Sequence, residues 1–440
     1  MHLHRPISAQ IEITDNCNFR CQHCYLLDSS NHCTGQKPNT RNLMRIAEIL
    51  CSQNVFNIIL TGGEPLLYPN VLKQLISYLT AHSINVSINT NLSLLTDDLL
   101  DFFIEKKVRN LLISCPSASS SLYEAITNYK NFDHFRSNLE KVLKSGMRYS
   151  LNMVVSQYNK HDIINTAKKL KQIGATKFGA TPMSLNPLYP RLDLLLSNDE
   201  VKKLTLDLLW IRDNLGLSVD IMEALPKCVF PKELLKQDLP FLKRRCQAGL
   251  SIIAVAPNGD VRPCTHNPEV YGNILNENLD DIWQRMKPWR SMVLIPDKCK
   301  ECKVFVRCHG GCRTNAFTFH GKWNAEDVWV EEPIKEKIFP KVTTNLNFDQ
   351  PIKVVKLKTR YEKNHILICG NTSRQIAIVN DEVCKLLNII RQSERITLRE
   401  IAHMSNIEVD NRDFLRIITY LIRNRIIIYD SVSKDSSSDK

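Results

Sequence analysis

From Ile7 to about Thr181, short apolar runs alternate with longer stretches in which apolar residues recur every three or four positions. Short runs bounded by turn formers read as buried strands, and the periodic stretches as amphipathic helices. Strands are predicted at Ala9–Thr14, Val55–Leu60, Ile84–Asn89, Arg109–Ser114, Tyr149–Ser156 and Thr176–Ala180, with helices near 41–52, 70–81, 96–106, 131–145 and 160–173. In the second of these helices Leu72, Leu75, Ile76 and Leu79 share one face. Such β-α alternation predicts a parallel sheet with right-handed crossovers, and it places ligand sites at the C-terminal strand ends.

The pattern then changes twice. Residues 185–245 carry Pro187, Pro190, Pro226, Pro231 and Pro240 around one helix near 198–214, and read as a connector that walls the active site. A hairpin follows, with strands Ile252–Ala256 and Val261–Pro263 joined by the turn Pro257-Asn258-Gly259-Asp260. Beyond about Pro340, the texts KVVKLKTR, HILIC and QIAIV predict three short strands. Helices follow at Glu382–Ile390, Leu398–His403 and Arg412–Arg423, then the apolar run Ile426–Tyr429. Thr397 and Glu400 form a capping box at the second of them. Three strands, three helices and a closing strand make a small α+β winged helix. The last ten residues, SVSKDSSSDK, read as a disordered tail.

Composition narrows the setting. Fifteen cysteines in 440 residues are too dilute for a disulfide scaffold, and their clustering favours metal and a reducing compartment. The opening MHLHRPISAQ lacks an apolar signal core, and no run reaches the roughly 18 apolar residues of a membrane span. A cytoplasmic chain without membrane attachment is expected. The 58 basic and 46 acidic residues give +12, a field that favours acidic partners: nucleic acid, an anionic membrane or an acidic peptide. Solvated lysines account for much of this excess.

The chemistry is concentrated in the cysteines. Cys17, Cys21 and Cys24, in CNFRCQHCY, follow the first strand. A [4Fe–4S] cube has four irons, so three thiolates leave one iron for a small molecule, and an open position marks a catalytic metal. A zinc site completed by a distant ligand is the competing reading. Thr61-Gly62-Gly63-Glu64-Pro65 follows the second strand; paired glycines allow close backbone approach to a ligand, and Glu64 adds a carboxylate.

Together these two motifs resemble the radical S-adenosylmethionine (SAM) superfamily. The resemblance implies a partial (β/α)6 TIM-type barrel over residues 1–184, with Cys17, Cys21 and Cys24 holding a [4Fe–4S] cluster whose open iron is chelated by SAM. It implies that Gly62, Gly63 and Glu64 receive the SAM ammonium through backbone oxygens and a charge-assisted contact. His23 stands where the family has an aromatic ring, and Asn89, Asn91 and Ser114 are candidate contacts to the SAM ribose and carboxylate. One departure is visible. Relatives often carry Ser-x-Asp-Gly after the fourth strand and a later arginine, whereas this chain reads Ser114-Cys115-Pro116-Ser117-Ala118 and Ala125-Ile126-Thr127-Asn128.

A second constellation comprises Cys246 and Cys264, with Gly259 between them, then Cys299, Cys302, Cys308 and Cys312. Two zinc sites would also suit these spacings. Beside the first motif, the segment resembles the SPASM domain and implies one or two auxiliary iron–sulfur clusters over residues 246–340. By family pattern, Cys246, Cys264 and Cys312 serve the first cluster and Cys299, Cys302 and Cys308 the second. The family's seventh cysteine is missing: the region reads NAEDVWVEEP, so Asp327, Glu331 or His320 are candidates to complete the second cluster, and Cys228 the first.

The winged helix at 345–430 points to DNA on composition. It resembles instead the PqqD-like recognition element of maturases acting on ribosomally made peptides (RiPPs), which captures a leader peptide by strand addition. Lys353, Lys356, Lys358 and Arg360 on the first predicted strand would attract an acidic leader, or serve as solvated edge lysines. The expected activity is a radical SAM peptide maturase that binds a precursor peptide rather than nucleic acid and takes electrons from a flavodoxin- or ferredoxin-type reductant. Docking the leader would raise the local concentration of the core peptide, and a 5′-deoxyadenosyl radical would begin an oxidative crosslink, a cyclophane-type carbon–carbon bond or a thioether. Epimerisation, decarboxylation and formylglycine formation are the enzymatic alternatives. A non-enzymatic iron–sulfur DNA-binding regulator is the alternative of another class.

Overall fold

The structure, a computed structural model, describes residues 3–26, 37–338, 345–370, 375–393 and 395–430. It divides into two compact units, Met1–Lys341 and Val342–Lys440. The predicted tail at 431–440 lies outside the described residues.

The first unit begins as the alternation predicts: β1 (Ser8–Glu12), α1 (Thr40–Ser52), β2 (Asn57–Thr61), α2 (Pro69–Ala81), β3 (Asn85–Thr90), α3 (Asp97–Glu105) and β4 (Asn110–Ser114). Next come α4 (Ser120–Thr127), α5 (Phe132–Lys144), β5 (Tyr149–Val155), α6 (Ile163–Gln172), β6 (Lys177–Pro182), α7 (Asn198–Leu215) and β7 (Ser218–Asp220). Each crossover helix buries its apolar stripe: Leu43, Ile46, Ala47 and Leu50 in α1, and Leu72, Leu75, Ile76 and Leu79 in α2. Helix α1 starts where the Asn39 side chain accepts from the Asn42 N–H. Helix α7 carries a Ser197/Glu200 capping box and ends at left-handed Gly216. Helix α4 was not legible in the periodicity, because its eight residues make two turns and show little more than Tyr123 and Ile126 as a buried pair.

The sheet is wider than the pattern predicts. After β8 (Ile252–Val255), β9 (Asp260–Arg262) and β10 (Gly272–Asn273), its order is β10-β9-β8-β1-β2-β3-β4-β5-β6-β7. The predicted hairpin does not stand alone, because β8 pairs in parallel with β1, with Ser8 opposite Ile252 and Ile11 opposite Val255. Burial requires it. Ile253, Ala254 and Val255 are fully buried, and an apolar strand of this kind is stable only when covered on both faces. At the other edge β7 pairs with β6, so part of the predicted connector is sheet.

The cysteine-rich segment continues with α8 (Leu279–Arg285), α9 (Lys287–Arg290), α10 (Asp297–Lys300), α11 (Phe305–Cys308) and α12 (Arg313–His320). It is fastened to the barrel by polar contacts. Buried Glu12 on β1 pairs with half-buried Arg262 on β9, Arg5 makes a bidentate contact with Asp280 at 2.7 and 2.8 Å, and the Trp283 and Trp329 indoles donate to Leu3 O and Leu196 O.

The second unit holds two small sheets. One has β11 (Pro351–Val354) between β15 (Ile396–Thr397) and β16 (Ile427–Tyr429); the other is β12 (Lys358–Tyr361), β13 (Ile366–Cys369) and β14 (Ile376–Val379). Helices α13 (Asp381–Gln392), α14 (Leu398–Met404) and α15 (Arg412–Arg423) pack Leu387, Leu398, Ile401, Ile418 and Leu421 into one core with Ile352 and Ile368. The capping box of Thr397 and Glu400 starts α14. KVVKLKTR is therefore not one basic strand but parts of two strands in different sheets. Lys353 lies on a central strand and pairs with Asp430. Arg360 is buried against the carboxylate of Glu362, which is also buried, so its charge cannot serve a leader peptide.

Among the described residues no helix is long and apolar enough to cross a membrane. Removing one partner of the Glu12–Arg262 pair strands a buried charge. Arg262→Ala is expected to destabilise the first unit by about 3–5 kcal/mol, read from urea midpoints, whereas Glu12→Leu combined with Arg262→Leu should recover most of the loss.

Candidate active site and metal centres

The loop after β1 is held by direct backbone contact with the loop after β2. Ile13 N donates to Thr61 O at 2.9 Å, Gly63 N to Thr14 O at 2.7 Å and Glu64 N to Asn16 O at 2.8 Å. A Cβ on Gly62, whose φ is +120°, would lie 2.2 Å from Thr14 O, and one on Gly63 would lie 1.9 Å from Asn16 O. Only glycine permits this approach. The close neighbour of these glycines is thus the cysteine loop itself, not open ligand space. Glu64 also differs from expectation. Its carboxylate is buried, Oε1 accepting from Leu66 N (3.0 Å) and Thr90 Oγ1 (2.8 Å) and Oε2 from Asn91 N (2.7 Å). Burial pushes its pKa up to about 7 against the pull of those three donors. The side chain pins the end of β2 to the end of β3.

Asn91 continues that pin into the cysteine loop. Its Nδ2 donates to Asn18 Oδ1 at 3.0 Å and towards Cys17 Sγ at 3.8 Å, while its Oδ1 accepts from the Ser93 N–H and hydroxyl. Phe19 N also points at Cys17 Sγ, 3.4 Å away. The end of α4 holds the loop's middle: Arg20 N donates to Thr127 O and Gln22 N to Ile126 O. Asn186 Nδ2, beyond β6, reaches Cys24 O at 3.2 Å. Burial pushes the Cys21 thiol well above its ordinary range, and the charges of Cys24 and Cys17 push it further. Three mutually repelling thiols in a desolvated loop form a donor set that a multivalent metal centre would neutralise.

The remaining candidates are spread around this loop. Burial pulls His23 down to about 4, so its ring is neutral at pH 7. Asn89 Nδ2 contacts Thr61 Oγ1 at 3.4 Å, and Ser114 is exposed at the end of β4. Where Asp-Gly is absent after β4, Ser117 Oγ donates to Asp162 Oδ2 at 2.6 Å and Thr166 Oγ1 to the same oxygen at 2.7 Å. The loop is tied down there instead. Tyr25, next to Cys24, packs on His266 with ring centroids 4.6 Å apart, which brings the first cysteine loop alongside the hairpin end that carries Cys264.

The six later cysteines fall into two groups. Burial, then Cys246, pushes Cys264 up to about 12; burial raises Cys312 well beyond its ordinary range, with Glu223, Cys246, Asp327 and Cys264 adding. The charge of Glu223, which no sequence signal marks, acts on the Cys246, Cys264 and Cys312 group. Asp327 belongs to this group too and not to the other: its Oδ2 accepts from Cys312 N at 2.6 Å and its Oδ1 from Trp329 N at 3.1 Å. The second group is Cys299, Cys302 and Cys308, which line one pocket together with Cys228. Cys228 thus sits with the second set, contrary to the expectation that it completes the first. Glu331 lines the same cavity, but its carboxylate holds Lys202 at 2.7 Å and Asn198 at 3.1 Å. His320 is exposed at the end of α12, against Phe319. Among the described residues, no three His, Cys, Asp or Glu side chains converge on one metal ion.

Residues 11–170 match the Radical SAM superfamily and residues 246–309 the SPASM iron–sulfur cluster-binding domain. The antilisterial bacteriocin subtilosin biosynthesis protein AlbA of Bacillus subtilis is 25% identical over 323 residues, 70% of this chain and 67% of that protein. The AdoMet-dependent heme synthase of Methanosarcina barkeri is 24% identical over 337 residues, 72% of this chain and 93% of that protein. The crystal structure of Streptococcus suis SuiB bound to precursor peptide SuiA shares the fold, with TM-score 0.59 and 18% identity over 74% of this chain and 75% of that one. The protein is a radical SAM enzyme with a SPASM domain. Its cofactors are a [4Fe–4S] cluster with SAM and auxiliary iron–sulfur clusters.

Gly63→Ala is expected to drive the two strand-end loops apart and to lower SAM affinity, measured by equilibrium dialysis of the reconstituted protein. Glu64 has a folded pKa of about 7 against an ordinary 4.5, so its contribution to stability is fully present below 4.5 and lost as pH rises through 7. Glu64→Gln should flatten that part of the stability profile in urea titrations. It should also cost about 1–3 kcal/mol at low pH, because an amide N–H₂ replaces an acceptor facing a buried donor.

Proposed function

We propose that the protein is a maturase of a ribosomally made precursor peptide, in which it installs an oxidative crosslink, a cyclophane-type carbon–carbon bond or a thioether. The observation that carries this reading is the gathering of three cysteine groups in one compact unit, the first loop touching the hairpin end that carries Cys264 through Tyr25 and His266. Support also comes from AlbA, a bacteriocin biosynthesis protein, and from SuiB, which was solved with a precursor peptide. When bound, the [4Fe–4S] cluster and SAM supply a 5′-deoxyadenosyl radical for hydrogen abstraction, and the auxiliary clusters supply one-electron acceptors.

The chain's own residues do the positioning. Cys17, Cys21 and Cys24 would hold the first cluster, on a loop fixed from three sides by Gly63 with Glu64, by the end of α4 and by Asn186. Asn91 would steady Cys17 rather than the SAM carboxylate, since both ends of its amide are engaged within the loop. Gly63, Asn89 and Ser114 remain accessible for SAM, and His23 would offer a neutral ring to it. Cys246, Cys264 and Cys312 would hold one auxiliary cluster with Glu223 beside them, and the neighbouring cysteine group the other.

The second unit would capture the leader. The sheet β12-β13-β14 has two edge strands, and on β14 the Ile378 N–H already donates to Tyr420 Oη at 2.9 Å. That directs strand addition to β12, flanked by exposed Lys356 and Tyr361.

Two measurements test the reading. Cys17→Ala, Cys21→Ala and Cys24→Ala should each abolish reductant-dependent formation of 5′-deoxyadenosine. Coexpression with the peptide encoded by a short open reading frame beside the gene should give a product lighter by two hydrogens, and deletion of residues 345–440 should remove leader binding. An unchanged peptide mass with full 5′-deoxyadenosine formation would point to epimerisation, and unchanged leader affinity after deletion would take the second unit out of substrate capture.

A further inference from the structure

Cys228 reaches the second cysteine group from a distant part of the chain. It lies in a 3-10 turn, Lys227–Val229, directly after Pro226, and shares its cavity with Cys299, Cys302 and Cys308. We propose that these four side chains form a complete four-thiolate site for an iron–sulfur cluster, Cys228 taking the place of the downstream cysteine that this chain lacks. The inference rests on residues 299–308 being cluster ligands, and it adds the fourth ligand from outside the SPASM segment.

Three observations carry it. The first is hydrogen bonding to sulfur. Glu331 N donates to Cys228 Sγ at 3.1 Å and Lys227 N donates to Cys308 Sγ at 3.2 Å; N–H groups aimed at sulfur favour thiolate and tune a cluster. The segment that would hold the seventh cysteine thus supplies Val330, the Glu331 N–H and Pro333 to the cavity, and the Cys228 sulfur lies directly against that N–H. The second is the loss of competitors. Asp327 is bound to Cys312 N, the Glu331 carboxylate to Lys202 and Asn198, and His320 is exposed. The third is charge. Four thiolates among Val304 and Phe305 carry a negative excess that a cationic centre must offset, since Lys298 on the cavity wall is already paired with Glu332 at 3.1 Å and the Lys227 ammonium donates to Phe241 O (3.3 Å) and Arg244 O (2.8 Å). Four thiolates also suit zinc. The match of residues 246–309 to an iron–sulfur cluster-binding domain favours a cluster over a single zinc ion.

The test uses the full chain, reconstituted anaerobically with iron and sulfide. Wild type, Cys228→Ser, Cys228→Ala and Cys302→Ala are compared by iron, acid-labile sulfide and zinc content, and by low-temperature electron paramagnetic resonance of the reduced protein. The component lost in Cys302→Ala should also be lost or shifted in both Cys228 variants, with the remaining components unchanged. Retention of that component in the Cys228 variants, while Cys302→Ala removes it, would overturn the assignment of Cys228 alone. Bound zinc at one per chain, removed by either substitution without loss of iron, would overturn both the assignment and the cluster reading of 299–308. A second measurement needs no variant. Alkylation of Cys228 by iodoacetamide, located by peptide mass spectrometry, should be blocked in the reconstituted protein and appear together with that of Cys299 after iron chelation; equal labelling of Cys228 before and after chelation would reject it as a ligand.

Discussion

Everything catalytic in this protein depends on how closely two stretches of backbone can approach. The loops after β1 and β2 meet without any side chain between them, because Gly62 and Gly63 present no Cβ to Thr14 and Asn16. The hydrogen bonds of Gly63 and Glu64 then set the height of the cysteine loop above the sheet. Glu64 adds a second constraint, joining the end of β2 to that of β3. A buried carboxylate is costly, and three donors that would otherwise themselves be unsatisfied offset part of that cost, burial still raising the group to about 7. The motif thus works as much by shaping the cysteine loop as by facing a ligand.

The same economy of contact explains why the cysteine-rich segment is part of the first unit. Strand β8 adds to β1, and the Glu12–Arg262 pair crosses it to reach β9. Tyr25 on His266 closes the remaining gap. Desolvation dominates the thiols on both sides of that contact, raising Cys21, Cys264, Cys228 and Cys299 alike. Groups so disposed bind protons tightly until a metal centre replaces them, which couples cofactor loading to pH and to the rigidity of the loops. The backbone N–H groups aimed at Cys228 and Cys308 oppose that rise without overcoming burial.

Much of this was legible in the residues. Buried strands and amphipathic helices announce themselves by period, so the six β-α units of the barrel and the helices of the second unit could be placed to within a few residues. Spacing marked the nine cysteines of Cys17–Cys24 and Cys246–Cys312, since ligands drawn from one short loop are constrained by chain geometry alone. Helix α4 escaped because two turns carry too little periodic signal, and KVVKLKTR was misjudged because alternation cannot tell one long strand from two short ones in different sheets. Cys228 and Asp327 were put with the wrong partners. Both act across long sequence separations, where composition and spacing are silent.

What the sequence by itself determined is local: periodicity decides element type, glycine decides where backbone can be crowded, and close cysteine spacing decides that a loop can hold iron. Tertiary structure alone decided which distant groups meet. It set β8 beside β1, turned Glu64 inward, gave Arg360 to Glu362 and brought Cys228 to Cys299, Cys302 and Cys308. The physical reason is that these pairings are chosen by burial and by the need to satisfy every desolvated polar group, and both are properties of the packed chain rather than of any segment.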